Sequence, residues 1–218
     1  MAMGITRNAF VPTPPQLLAL MLAGLCLALQ AGGESAQELF QFQREGLAQG
    51  QLWRLFSGHF IHLGWSHALM NMAALGLLVY LLADGLEVAS LLGLILASSL
   101  AVDAGLWFLQ PELQWYVGLS GVLHGLFAGL LLLQWFCRRE RHLWLILLLS
   151  VKLAWEGATG PLPMTADLAG GPVVTIAHLY GTLGGMLGAI SVILVIKLAK
   201  GATNNRIDST DHKPGGAN

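Results

Sequence analysis

A serine stands in the tetrapeptide GLSG, Gly118 to Gly121, at the head of one apolar run, and a histidine, His178, sits near the start of another. Together they are the minimum for covalent acyl transfer: the imidazole takes the hydroxyl proton and later gives a proton to the leaving amine. No carboxylate lies near His178 in the sequence, so Ser120 and His178 are read as a dyad. A tetrahedral intermediate also needs donors aimed at its oxyanion. His67 and Asn71, four residues apart on a third apolar run, share one helix face. Gly118 and Gly121 let the chain turn tightly about Ser120 and leave its backbone N–H at a helix start, a natural anion site. The hole is therefore expected from His67, Asn71 and the Ser120 amide. His59 reads as a polar core residue and His62 as an organiser of its loop. His59, His62, His67 and His124 include no HxxxH pair with a carboxylate ligand on one helix, so neither a metal nor a cofactor is expected.

The elements that carry these groups are apolar throughout. Of 218 residues, 55% are hydrophobic and only 11% charged, against about a quarter charged in ordinary soluble domains. This is the composition of an all-α, multi-pass membrane protein. A net charge of −1 supplies no basic surface and makes nucleic acid an unexpected partner. Runs long enough to approach the roughly 20 residues of a bilayer crossing fall at about 15–31, 64–83, 88–109, 117–136, 143–157 and 172–198. Six spans are expected, the fifth interrupted by Lys152 and Glu156. The chain then divides into an N-terminal segment 1–14, a six-helix core 15–200 and a polar, disordered tail 201–218. No cleaved signal peptide is expected ahead of the first span.

Basic residues set the orientation. Arg7, the Arg138, Arg139 and Arg141 cluster, and Lys197, Lys200 and Arg206 share one side if there are six spans. Both termini are then cytoplasmic, and Cys26 and Cys137 fall toward opposite faces, too far apart for a disulfide. The tryptophans read as interfacial anchors. The stretch Gly32 to Leu63 becomes an external loop with an amphipathic end at the membrane surface. At about 1.5 Å per residue, Ser120, His178, His67 and Asn71 share one shallow layer beneath the outer face. Gly121, Gly125 and Gly129 on one run, and Gly181 with Gly185 and Gly184 with Gly188 on the other, are spaced for close helix packing. Lys152 and Glu156 are expected to pair with each other or with Asp103, the functional alternative being that Glu156 positions substrate.

These residues resemble the rhomboid family of intramembrane serine proteases. The matching motifs are GLSGVLHG at 118–125, AHLYGTLGG at 177–185, HLGWSHALMN at 62–71 and LWR at 52–54. The resemblance implies a six-helix rhomboid-like bundle with Ser120 as nucleophile, His178 as general base, and His67, Asn71 and the Ser120 amide as oxyanion stabilisers. Gly118, Gly121, Gly125, Gly181 and Gly185 are its motif glycines. GLSGVLHG followed by VKLAWE at 151–156, in a compact chain, is similar to the rhombosortase branch. That likeness implies exported protein substrates ending in a Gly-Gly motif, a transmembrane helix and a basic tail, cleaved at the inner membrane of a Gram-negative bacterium with the site toward the periplasm. His124 stands where a tyrosine usually packs on the catalytic histidine, and is expected to face His178. The alternative is a catalytically silent rhomboid-like protein that binds membrane helices without cutting them.

Overall fold

The computed structural model describes residues 11–138 and 142–211. Helix α1, Pro14–Ala31, begins where two prolines fill positions whose amides lack helical acceptors, and the Gln16 side chain accepts from the Thr13 amide at 3.0 Å. The chain then forms α2, Gly33–Phe40; β1, Phe42–Gln43; α3, Arg44–Ala48; and α4, Trp53–Ser57. Next come α5, Trp65–Leu82; α6, Val88–Leu109; β2, Trp115–Tyr116; and α7, Ser120–Leu133, which runs into a π-helical turn, Gln134–Arg138. Helices α8, Leu143–Thr159, α9, Thr165–Ala169, and α10, Ile176–Asp211, are the last of the described elements.

Among the described residues, five helices are long and apolar enough to cross a membrane: α1, α5, α6, α7 with its π turn, and α10 through Ala199. Helix α8, the fifth of the six expected spans, is 17 residues long, carries Lys152 and Glu156, and is not among those five. Two helix starts also shift. Helix α7 begins at Ser120 rather than 117, because Gly118 takes φ +118° and interrupts helical hydrogen bonding just before it. Helix α10 begins at Ile176 rather than 172, after the non-helical stretch that follows Pro172. Its backbone stays helical to Asp211, past the expected end at 200, across a stretch with no proline and the single glycine Gly201. The remainder of the tail, 212–218, lies outside the described residues, as do Arg7, Arg139 and Arg141.

Helix α10 is the central post, packed on both α7 and α6. Its two glycine stripes serve different neighbours. A Cβ on Gly181 or Gly185 would fall on the carbonyls of Gly121 and Gly125 of α7, and one on Gly184 would meet the Ala97 carbonyl of α6 at 2.5 Å. Lipid tails are as apolar as leucine, so helices associate in a bilayer through close packing, which these glycines permit. On the opposite faces, Leu92, Leu96 and Leu100 of α6 and Leu183, Leu187 and Leu194 of α10 are exposed at helical spacing. Continuous apolar stripes of this kind belong against acyl chains.

The segment between α1 and α5 forms a folded clamp, with Leu52, Trp53 and Phe56 exposed on its outer side. β1 pairs antiparallel with β2, Phe42 opposite Tyr116. The Arg44 guanidinium donates to the carbonyls of Leu106, Trp107, Gln110 and Leu113, covering the last turn of α6, where helix carbonyls lack partners. Arg54, buried, donates to Glu38 and Gln41 carbonyls at 2.8 and 3.0 Å and to the Gln51 side chain. The chain leading into Ser120 is thereby tied down, with the Gly118 amide donating to Gly58 O at 3.0 Å and the Tyr116 hydroxyl to Gly118 O at 2.8 Å.

Candidate active site

Ser120 opens α7, so the amides of that first turn have no acceptor within the helix. Gly118 is needed just upstream for two reasons. Its φ of +118° disfavours any side chain, and a Cβ there would lie 2.9 Å from His67 Cε1. One turn further on, the glycine contact between α7 and α10 lets the two helices meet backbone to backbone. His178 Nε2 lies 2.9 Å from Ser120 Oγ. The serine and histidine read from the sequence are therefore in hydrogen-bond contact, across 58 residues of chain.

The sequence reading of an isolated dyad needs correction in geometry. Glu156 of α8 reaches His178, with Oε2 2.8 Å from Nδ1, and its other oxygen receives the Lys152 ammonium at 2.5 Å. An ionised carboxylate can only accept, so Nδ1 carries the proton and Nε2 presents its lone pair to the Ser120 hydroxyl. The protonation needed of a general base follows from that contact. Lys152 and Glu156 pair with each other as expected, and Asp103 does not join them. Asp103 instead faces His59, with Oδ1 3.3 Å from Nε2 and off the line of a straight hydrogen bond, both side chains buried.

His124 stacks on His178, ring centroids 4.0 Å apart and planes 12° from parallel, while its Nδ1 donates to Ser120 O at 2.7 Å. The flat contact restrains rotation of the His178 ring. His124, Glu156 and His178 bring three potential metal ligands within 4.8 Å of one another. Imidazole lone pairs lie in the ring plane, so stacked rings aim theirs side by side rather than at one point, and both His178 nitrogens already face Ser120 and Glu156. The residues present do not fit a resident ion.

On the other side of Ser120, the Leu63 amide donates to His67 Nδ1 at 3.4 Å, which leaves the proton on His67 Nε2. That nitrogen points toward Gly118, where a Cβ would lie 3.1 Å from it. Asn71, one turn along α5, is buried, and its Nδ2 has no hydrogen-bond partner. Buried donors are rarely left unpaired, which marks the Asn71 amide as a donor held for an incoming acceptor. His62 meets His67 edge to face, centroids 4.9 Å apart, and burial with the neighbouring His67 pushes its pKa down to about 3. His62 is therefore neutral at ordinary pH, a support for His67 rather than a charge in the site.

Ser120 and His67 line a cavity of about 350 Å³. Trp115, Tyr116 and Val117 form one wall and Pro172, Val173 and Val174 another. The groups assembled here are a hydroxyl, an imidazole whose two nitrogens face that hydroxyl and a carboxylate, and the His67 ring at the edge of the same cavity.

Two comparisons bear on this geometry. Residues 49–195 match the family described as Rhomboid domain, more than half of the chain and including every site residue named above. The chain is also similar to the Bacillus subtilis (strain 168) protein named "Putative rhomboid protease YdcA", 27% identical over 146 residues, which cover 65% of this chain and 68% of that protein.

Proposed function

The chain belongs to the rhomboid family, and on that premise we propose that it is an intramembrane serine protease with Ser120 as nucleophile and His178 as general base. The observation that carries the reading is the 2.9 Å contact between Ser120 Oγ and His178 Nε2, with the tautomer of His178 set from behind. Ser120 Oγ adds to the scissile carbonyl carbon as its proton passes to His178 Nε2. The oxyanion that forms is held by the Ser120 amide, His67 Nε2–H and Asn71 Nδ2–H. The C–N bond then breaks, the His178 proton goes to the leaving amine, and an acyl-enzyme remains on Ser120. Water, deprotonated by His178, releases the acid.

A peptide bond still hydrogen-bonded inside a helix cannot be presented to Ser120, so a substrate with a helix-breaking segment near the membrane surface fits best. The proposed substrates are exported proteins with a C-terminal Gly-Gly motif, a transmembrane helix and a basic tail. α8 is taken as a sixth crossing, so both termini are cytoplasmic and the cavity opens to the periplasmic side of a bacterial inner membrane. Entry runs between α5 and α8.

The test is a tagged Gly-Gly-tailed membrane substrate made with wild-type protein or with Ser120→Ala. The reading requires a product cut near the glycines, seen by mass spectrometry with wild type and missing with Ser120→Ala. An intact substrate in both would leave a silent helix-binding protein as the better account.

A further inference from the structure

We infer that Glu156 is a positioning residue that turns the Ser120–His178 pair into a serine, histidine and glutamate relay, and that its place on α8 makes the relay depend on where that helix sits. This rests on the serine-protease reading of the same site. Glu156 lies 22 residues before His178, on a different helix, and is one of only two buried residues on α8, the other being Leu149. A carboxylate inside an apolar bundle is retained against a solvation cost of several kcal/mol per ion. Both of its oxygens are engaged, Oε2 by His178 Nδ1 and Oε1 by Lys152.

Each contact has a chemical consequence. His178 Nδ1–H donates to Oε2, which excludes the tautomer that would put hydrogen rather than a lone pair on the nitrogen facing Ser120. When His178 takes the serine proton it becomes a cation in a low-dielectric setting, and the carboxylate 2.8 Å away stabilises it. Lys152 holds the second oxygen one helical turn away, so Glu156 cannot swing off without parting that pair as well.

The carrier helix buries little besides Glu156: Leu149 is its other buried residue, Leu143, Trp144, Leu147, Leu148, Val151 and Trp155 face outward, and a cavity of about 440 Å³ lined by α7, α8 and α10 lies beside it. Displacing α8 would withdraw the carboxylate from His178 while leaving Ser120, on α7, and His178, on α10, in contact. The histidine would then be free to take either tautomer.

The experiment measures the saturation kinetics of fluorophosphonate labelling in membranes for wild type, Ser120→Ala and Glu156→Gln, together with ¹⁵N-histidine NMR of wild type, the His178 signal being assigned by its loss in His178→Ala. Gln keeps the shape of Glu and can donate to Nδ1 but carries no charge. The relay requires His178 to be protonated at Nδ1 in the wild type, with the maximal labelling rate of Glu156→Gln lowered on the order of 100-fold and the half-saturating probe concentration unchanged. Nε2 protonation in the wild type overturns it, as does Glu156→Gln labelling at the wild-type rate. A Glu156→Gln slowed only through a raised half-saturating probe concentration also overturns it, because the loss would then lie in binding rather than in the relay. Failure of the wild type itself to label on Ser120 would instead remove the underlying protease reading.

Discussion

Ser120 and His178 touch because glycines at 121 and 181 remove the atoms that would hold their helices apart, and each neighbour of the pair can be tested by what it contributes. Removing one oxyanion donor typically costs 10²- to 10³-fold in turnover, so His67→Ala and Asn71→Ala should each lower kcat by about that factor in a cleavage assay, with KM little changed. The stack between His124 and His178 predicts that His124→Phe, which keeps a flat ring, retains most activity. His124→Ala should lose roughly three- to tenfold, the equivalent of the 0.5–1.5 kcal/mol such ring pairs contribute. Equal rates for the two variants would remove the stack from the account. The contact between Ser120 and His178 was legible because glycine spacing and depth along apolar runs are properties of the sequence. Glu156 was not legible as a partner of His178, since the contact joins two helices whose relative placement no local pattern encodes. A signal was present nonetheless: Lys152 at i−4 can occupy one carboxylate oxygen and leaves the other for a partner from elsewhere.

At the scale of elements, the folded clamp between α1 and α5 holds the chain just ahead of Ser120. Its fold was obscured in the sequence because short helices and a two-residue ladder have no periodicity to read. The four carbonyls that Arg44 covers would be left without their charged donor in Arg44→Met, with an expected loss of about 2–4 kcal/mol in detergent unfolding. His62 in this segment makes the clamp acid-sensitive. Its folded pKa of about 3 lies below the ordinary 6.5, so the unfolded chain takes up a proton that the native one refuses. Its contribution to stability is present above about pH 6.5 and is lost as pH falls toward 3. His62→Phe should flatten that acid limb in a thermal-shift series, and an unchanged limb would assign the acid sensitivity elsewhere. The glycine contact between α7 and α10 was anticipated from spacing, but its division into one stripe for α7 and another for α6 emerges only from the assembled bundle. Gly181→Ala, whose methyl would fall on the Gly121 carbonyl, should cost about 1–3 kcal/mol and separate Ser120 from His178.

At the scale of the whole molecule, apolar stripes facing outward and a polar site recessed at one end fit an enzyme whose substrate arrives sideways through lipid. Composition alone made the membrane class legible. The short, charged α8 was the uncertain crossing for a physical reason: the same Lys152 and Glu156 that weaken it as a lipid-facing span occupy the site at its inner face. If substrate enters between α5 and α8, crosslinking those helices should block cleavage of a transmembrane substrate yet spare labelling by a small fluorophosphonate. Loss of both, or of neither, would contradict that route. The most direct measurement is to locate the adduct itself, by mass spectrometry of the protein labelled with a fluorophosphonate in native membranes. The account predicts a single adduct on the peptide bearing Ser120, lost in His178→Ala; an adduct on another residue, or an undiminished one in His178→Ala, would contradict it.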